Sequence, residues 1–191
     1  NALVVRDLDL LAEMAKKDLV HVYLSITTLD SELARAMEPR TSVPDARLRA
    51  LRSLTDAGVP AGVMIAPTIP GLNDSEIPAI LEACKNAGAT CAGYILLRLP
   101  LTVRPVFIEW LERAMPLQAE RVLARIQETR GESLNSSAWG ERMVGRGEIA
   151  EQIRALFHVA RKQQKLDRAL PAHNCDQFVP PSSPSGQLRL F

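Results

Sequence analysis

The 191-residue sequence lacks long hydrophobic runs, is poor in aromatics and carries no excess of either charge. No stretch reaches the roughly 18 consecutive apolar residues that a membrane-spanning helix needs. Aromatic residues make up 4% of the chain, too few for the stacking platform of a typical single-strand binder. Lys and Arg number 23 against 22 Asp and Glu, a net charge of +1, so overall charge gives no argument for a polyanionic partner. The three cysteines, Cys84, Cys91 and Cys175, are odd in number and widely spaced. That excludes a disulfide framework and points to a reducing cytoplasm. There is no phosphate loop, zinc spacing, nucleophile elbow or G-x-G-x-x-G. The first residues, Asn1 to Asp7, have no basic region and no small-residue cleavage site, so they are not a signal peptide. They also lack an initiator Met and read as mid-domain sequence, so the chain is expected to be a fragment.

What remains is ordinary globular composition, 47% hydrophobic and 24% charged with 10 Gly and 13 Pro, enough for one sizeable core. Residues 7–17 repeat apolar positions at helical spacing, with acids first and lysines last. Val20 to Ile26 alternate as a strand does. Residues 45–57 read as a helix closed by Gly58, and 61–66 as a second strand. A turn-rich loop over 67–74 leads to a helix capped by Ser75 that runs to Gly88, and 91–97 reads as a third strand. Strand-plus-helix units of this length are parallel crossovers. An open doubly wound sheet and a (β/α) barrel both fit. In the first strand Val20, Val22, Leu24 and Ile26 share one face, and His21, Tyr23 and Ser25 the other. One polar face favours a barrel lumen or a ligand cleft over a strand buried on both sides. Residues 101–129 and 148–166 are amphipathic helical stretches, and Pro171 to Phe191 has no periodicity. The expected organisation is a partial barrel over 1–100, a helical extension over 101–170 and an irregular tail over 171–191.

Ligands of parallel strand-helix folds bind at the carboxyl ends of the strands. That rule selects Ser25 to Asp30, Ala66 to Asp74, and Leu97 to Leu99. Ser25 offers a hydroxyl on the inward register. Thr28 and Asp30 equally suit a cap for the following turn. The prolines of the second segment stiffen backbone that could meet a flat base, or simply build a tight turn. Arg98 reads either as a ligand group or as a salt bridge on the rim. His21 reads best as a core histidine, His158 and His173 as surface, and Cys84 and Cys91 as buried thiols. Residues alone lead no further than a parallel α/β domain with a polar site at its strand ends.

Several segments together resemble radical S-adenosylmethionine enzymes, in particular a bacterial subgroup related to spore photoproduct lyase. They are the serine strand Ser25 to Asp30, the Glu38-Pro39-Arg40-Thr41-Ser42 element, Arg47-Leu48, and Ala66-Pro67-Thr68-Ile69-Pro70-Gly71-Leu72-Asn73-Asp74. Arg98-Leu99-Pro100, Arg130-Gly131, Gly145-Arg146-Gly147 and the closing Leu188 to Phe191 add to the likeness. The resemblance implies the C-terminal half of a partial (β/α)6 barrel. It implies a [4Fe-4S] cluster, S-adenosyl-L-methionine, and an electron donor such as a flavodoxin or ferredoxin. The chemistry implied is reductive cleavage to a 5′-deoxyadenosyl radical, as in a lyase, on a substrate that no motif identifies. The family's C-x-x-x-C-x-x-C loop is absent from the 191 residues, and one short loop must bring three thiolates together. The cluster ligands are therefore expected upstream of Asn1, and the chain alone is expected to be inactive. Carried over by position, Ser25 contacts the cofactor's carboxylate or ribose, and Arg47 lies near that pocket. Ala66, Pro67, Leu96 and Leu97 lie against adenine. The rival readings are a nucleic-acid module using the basic region after residue 120, and another (β/α)-barrel lyase or isomerase. The latter would want a lysine or carboxylate at a strand end.

Overall fold

The computed structural model describes residues 1–131, 134–135, 140–176 and 178–179. The closing Leu188 to Phe191 motif and most of the expected tail lie outside the described residues. A 3-10 turn over Ala2–Asp7 leads into α1 (Leu8–Ala15). β1 (Val22–Ser25) is followed by α2 (Ser31–Met37) and α3 (Pro44–Asp56). β2 (Ala61–Thr68), α4 (Ile77–Asn86) and β3 (Cys91–Leu96) complete the strand-helix alternation. Three helices follow, α5 (Val103–Ala114), α6 (Ala119–Arg130) and α7 (Gly147–Gln163).

The three strands form one parallel sheet in the order β1-β2-β3. This is an α/β architecture, consistent with part of a barrel. Register places Tyr23 beside Gly62 and Ser25 beside Met64, with Gly62 beside Cys91 and Met64 beside Gly93. These residues share one face. Val22, Leu24 and Ile26 point the other way and are buried against α3 and α4 through Leu51, Leu54, Ile80 and Leu81. The alternation read from β1 is thus real, with Tyr23 and Ser25 exposed. Helix α7 joins the same apolar layer through Ala150, Ile153, Phe157 and Ala160, and the Phe157 ring meets Tyr94. Burying such large side chains contributes roughly 2 kcal/mol each.

On the open face the two glycines make room for their neighbours. A Cβ on Gly62 would stand 2.5 Å from both Cys91 Sγ and Tyr23 Cε1. One on Gly93 would stand 2.7 Å from Met64 Sδ. A second apolar cluster sits above the strand ends, where Ile69, Leu97 and Leu99 meet Leu111, Val122 and Ile126 of α5 and α6. The stretch from 101 to 129 is two helices, parted at Met115–Gln118, where Pro116 breaks the pattern. After α7 the chain turns antiparallel along the edge of β3, with Ala92 N–H donating to Leu166 O at 3.0 Å. It then reaches the turn before β1, where Asn174 N–H donates to Asp18 O at 2.9 Å.

One expectation needs correction. Ser75 caps nothing. A 3-10 turn, Asp74–Glu76, intervenes before α4, and Asp74 instead accepts from Gly71 N–H at 2.9 Å. His173 is exposed, as expected, and its ring meets that of His21 with centroids 4.1 Å apart.

Candidate functional site

Parallel strands end with carbonyls that no neighbouring strand satisfies, and buried ones need partners. Three side chains supply them. At the end of β1, Arg47 Nη1 donates to Ser25 O at 2.8 Å. Arg47 reaches it from the first turns of α3 and is 7% exposed. Its Nε donates to Ser42 O at 2.9 Å and its Nη2 to Thr41 Oγ1 at 2.7 Å. The same Nη2 pairs with the Glu38 carboxylate. The Glu38 to Ser42 element is therefore the cage of this guanidinium. At the end of β2, Asn73 is fully buried, and its Nδ2 donates to Pro67 O at 3.1 Å and to Thr27 O at 2.8 Å. Asn73 Oδ1 accepts from Ile69 N–H at 2.6 Å. At the end of β3, Arg130 of α6 donates from Nη2 to Leu96 O at 2.7 Å and from Nε to Leu97 O at 2.9 Å. Its Nη1 reaches Glu141 O at 3.0 Å.

Arg130 is 2% exposed, and no ion pair to it is found among the described residues. Burial, and next the charge of Arg98, lower its pKa to about 10. Among the described residues Arg98 forms no salt bridge on the rim, and its Nε is buried without a partner. Thr28 and Asp30 are spent locally. Thr28 Oγ1 donates to Glu76 Oε1 at 2.6 Å, and Asp30 Oδ1 caps α2 by accepting from Glu32 N–H at 2.7 Å. Asp74 is likewise held by Gly71. These contacts give the Asp30 and Asp74 carboxylates local structural partners.

A cavity of about 350 Å³ opens beside the rim. Pro67, Ile69 and Leu97 bound it on the strand side, and Met37, Phe107 and Trp110 on the helix side. The Trp110 ring is fixed by its Nε1–H, which donates to Ala36 O at 2.8 Å and ties α5 to α2. The Phe107 and Trp110 centroids are 5.5 Å apart. The walls are largely apolar, with the exposed Glu109–Arg113 pair at the edge. Such a slot suits a flat, weakly polar group.

The six residues selected from the sequence separate accordingly. Pro67 and Leu97 line the cavity, and Ala66 adjoins Pro67 on the partly exposed strand end. Ser25 presents an exposed hydroxyl at the end of β1. Arg47 is no surface helix charge, and all its donor groups are engaged within the protein. Leu96 lies in the helix-side core, with its N–H given to Met143 O at 2.9 Å and its carbonyl to Arg130. Leu97 N–H donates to Thr68 O at 2.8 Å and its carbonyl accepts from Arg130, so its backbone polar groups are engaged within the protein. The 67–74 segment is a tight, self-bonded turn rather than a free backbone edge. Sequence reasoning gives Asn73 a place in a motif but no role, and it misses Arg130 as a rim residue. Both bond backbone, which leaves no pattern in sequence beyond the residue itself.

The cysteines do not converge. Cys84 is buried in α4, where burial pushes its thiol up to about 12. Cys91 lies on the open face, its Sγ hydrogen-bonded to Tyr23 Oη at 3.4 Å. That bond, with burial second, pushes the Tyr23 phenol up to about 12. Cys175 is exposed. Among the described residues no three His, Cys, Asp or Glu side chains gather as a metal site requires. The residues present therefore do not fit an iron–sulfur cluster. No helix among them is long and apolar enough to cross a membrane.

Known proteins bear on this geometry. Two uncharacterized mycobacterial proteins, Rv2578c of Mycobacterium tuberculosis and Mb2609c of Mycobacterium bovis, are each 39% identical to the chain over 116 residues. The match takes in 60% of this chain and 34% of each relative. An uncharacterized protein, ORF301, of Acidianus two-tailed virus is 44% identical over 70 residues, 37% of this chain and 23% of its own. The chain thus spans about a third of the mycobacterial relatives it matches, and no solved structure matches it. Residues 1–84, from the first 3-10 turn to Cys84 in α4, match the model of the Radical SAM superfamily.

Proposed function

We propose that this chain is part of a radical S-adenosylmethionine enzyme and that its strand-end cavity takes the adenosyl group of the cofactor. The observation that carries the reading is the meeting of Pro67 and Leu97, from two adjacent strand ends, on one apolar slot. The match over residues 1–84 supports the family. When bound with its cluster, the cofactor supplies a 5′-deoxyadenosyl radical. This chain's residues bind and orient. Pro67, Ile69 and Leu97 receive one face of adenine, Phe107 and Trp110 exclude water from the other, and Ser25 bonds a polar group of the ribose or methionine. Arg47, Asn73 and Arg130 keep the rim rigid by occupying its carbonyls. The parent protein supplies the cluster ligands, which these residues do not.

The kinship to spore photoproduct lyase, a cytoplasmic setting, lyase chemistry and a flavodoxin or ferredoxin donor belong to the same proposal. The substrate is not assigned by it. The test is anaerobic reconstitution of the full-length parent with iron and sulfide. A visible iron–sulfur charge-transfer band and reductive cleavage of S-adenosylmethionine to 5′-deoxyadenosine and methionine are expected. Leu97→Trp, which fills the slot, should weaken cofactor binding at least about ten-fold while the band persists. A parent that forms no cluster and cleaves no S-adenosylmethionine overturns the reading.

A further inference from the structure

We infer that a second cavity, outside the strand-end rim, binds a phosphate ester through Arg121 and Arg125. The inference does not depend on the adenosyl reading. The cavity holds about 400 Å³ between the 71–75 turn, α6 and α7. Arg121 and Arg125 stand four residues apart on α6 and so share a face. Arg121 Nη2 donates to Gln118 Oε1 at 3.2 Å and, at 3.4 Å, to Gly71 O. Among the described residues it pairs with no carboxylate. Arg125 Nη1 lies 4.0 Å from Asp74 Oδ2, and the other Asp74 oxygen is taken by Gly71 N–H. Two guanidinium groups therefore face one partly engaged carboxylate.

The opposite wall, Ile149, Gln152, Ile153 and Leu156 of α7, carries no charge, and Ser75 adds a hydroxyl at the rim. Two planar forks match an anion with several acceptor oxygens and close to two negative charges, which a phosphate monoester is. The apolar wall gives the organic part of the ester a surface that inorganic phosphate would leave unused. A free nucleotide offers such a monoester, and a nucleic-acid backbone offers singly charged diesters, one of which each guanidinium could meet.

Cytidine 5′-monophosphate titrated into the protein by calorimetry is the test, with cytidine as the phosphate-free control. A pyrimidine nucleotide avoids confusion with an adenosyl slot. Saturable binding is expected, with cytidine at least about ten-fold weaker. Arg121→Gln with Arg125→Gln should weaken binding about ten-fold or more. Arg40→Gln with Arg49→Gln, exposed arginines outside the cavity, should bind as the parent does. Should the first pair melt early, Ser75→Glu places a carboxylate at the rim while leaving both arginines in place, and the same weakening is expected.

A single-stranded DNA oligonucleotide distinguishes the source. If it binds through the same pair, its log–log salt slope should shrink by up to about 1.4 in the double variant, at roughly 0.7 for each phosphate no longer neutralised. That outcome assigns the phosphate to a polymer, and binding of the mononucleotide alone assigns it to a free nucleotide. Equal binding of cytidine and its monophosphate, equal weakening in the control pair, or no binding of either phosphate probe would overturn the inference.

Discussion

Arg47 makes two accounts of the site separable. As a cofactor ligand its removal would leave the empty protein unchanged. As the clamp described above it should matter before any ligand arrives. Arg47→Met leaves Ser25 O and Ser42 O without this donor; both bonds are only part-buried, so about 1 kcal/mol each applies, the low end for a stranded acceptor. It also leaves Glu38 without its cation. Breaking a buried pair costs about 3–5 kcal/mol, but the Glu38 side chain is 27% exposed, so water recovers much of that. A total of about 3–4 kcal/mol follows, a large fraction of the roughly 5–15 kcal/mol that holds a domain together. For a chain of this length it lowers the melting temperature by about 6–16 °C.

Arg47→Lys keeps the charge beside Glu38 but loses the planar fork, so a smaller loss of about 1–2 kcal/mol is expected. Urea unfolding of the three proteins without ligand reads the order. The midpoints should fall from wild type to Lys to Met at constant slope. Glu38→Gln combined with Arg47→Met should cost less than the sum of the two single changes, because the charge stranded by one is removed by the other. If Arg47→Met unfolds within about 1 kcal/mol of wild type and only ligand binding suffers, the clamp is refuted.

Other outcomes follow from the same geometry. Gly62→Ala drives a methyl into Cys91 Sγ and the Tyr23 ring, and a loss of about 1–3 kcal/mol by urea unfolding is expected. At pH 8 one thiol per chain, Cys175, should react quickly with iodoacetamide by mass spectrometry, while Cys84, buried and pushed to about 12, should label only on unfolding. Burial first, and the facing His173 second, lower the His21 pKa below its ordinary 6.5, with Asp18 and the Pro171 backbone opposing. The unfolded chain then binds the proton more readily, so stability is full above about pH 6.5 and falls as pH drops toward the folded value. Urea midpoints between pH 7.5 and 5 should show the decline, and His21→Asn should flatten it.

The first strand was legible because apolar and polar residues alternate in it with period two, one face buried and the other open, whereas β2 and β3 read as short, mostly apolar runs bounded by turn residues. Gly58 and Pro60 marked the turn into β2 for a reason that needs no tertiary context: Gly58 sits at φ +77°. Helix α2 was scarcely legible. Its seven residues give too few turns for a period, and Asp30, whose side chain starts it, could equally have served a ligand. At the site, Pro67 and Leu97 could be placed by the strand-end rule. The cavity beside them could not, since its far wall comes from α5, whose approach is fixed by one bond from Trp110 to a carbonyl 74 residues earlier. The role of Arg130 was hidden in the same way, because its acceptors are carbonyls 33 and 34 residues back along the chain.

That choice of acceptor has a consequence for recognition. A rim of unpaired strand-end carbonyls would offer a ligand main-chain acceptors, indifferent to sequence. Here Arg47, Asn73 and Arg130 occupy those at Ser25, Pro67, Leu96 and Leu97. Arginine suits the first and last positions because a planar fork spans two or three acceptors at fixed angles, where a lysine would satisfy them less rigidly. Each clamp also draws a later element down onto the sheet: α3 at β1, the 69–74 turn at β2 and α6 at β3. With the backbone so occupied, whatever binds at this rim must be told apart by side chains, the Ser25 hydroxyl and the apolar walls at Pro67, Leu97 and Trp110. Replacing the walls should therefore alter affinity, whereas loosening a clamp should alter stability first and affinity only through it.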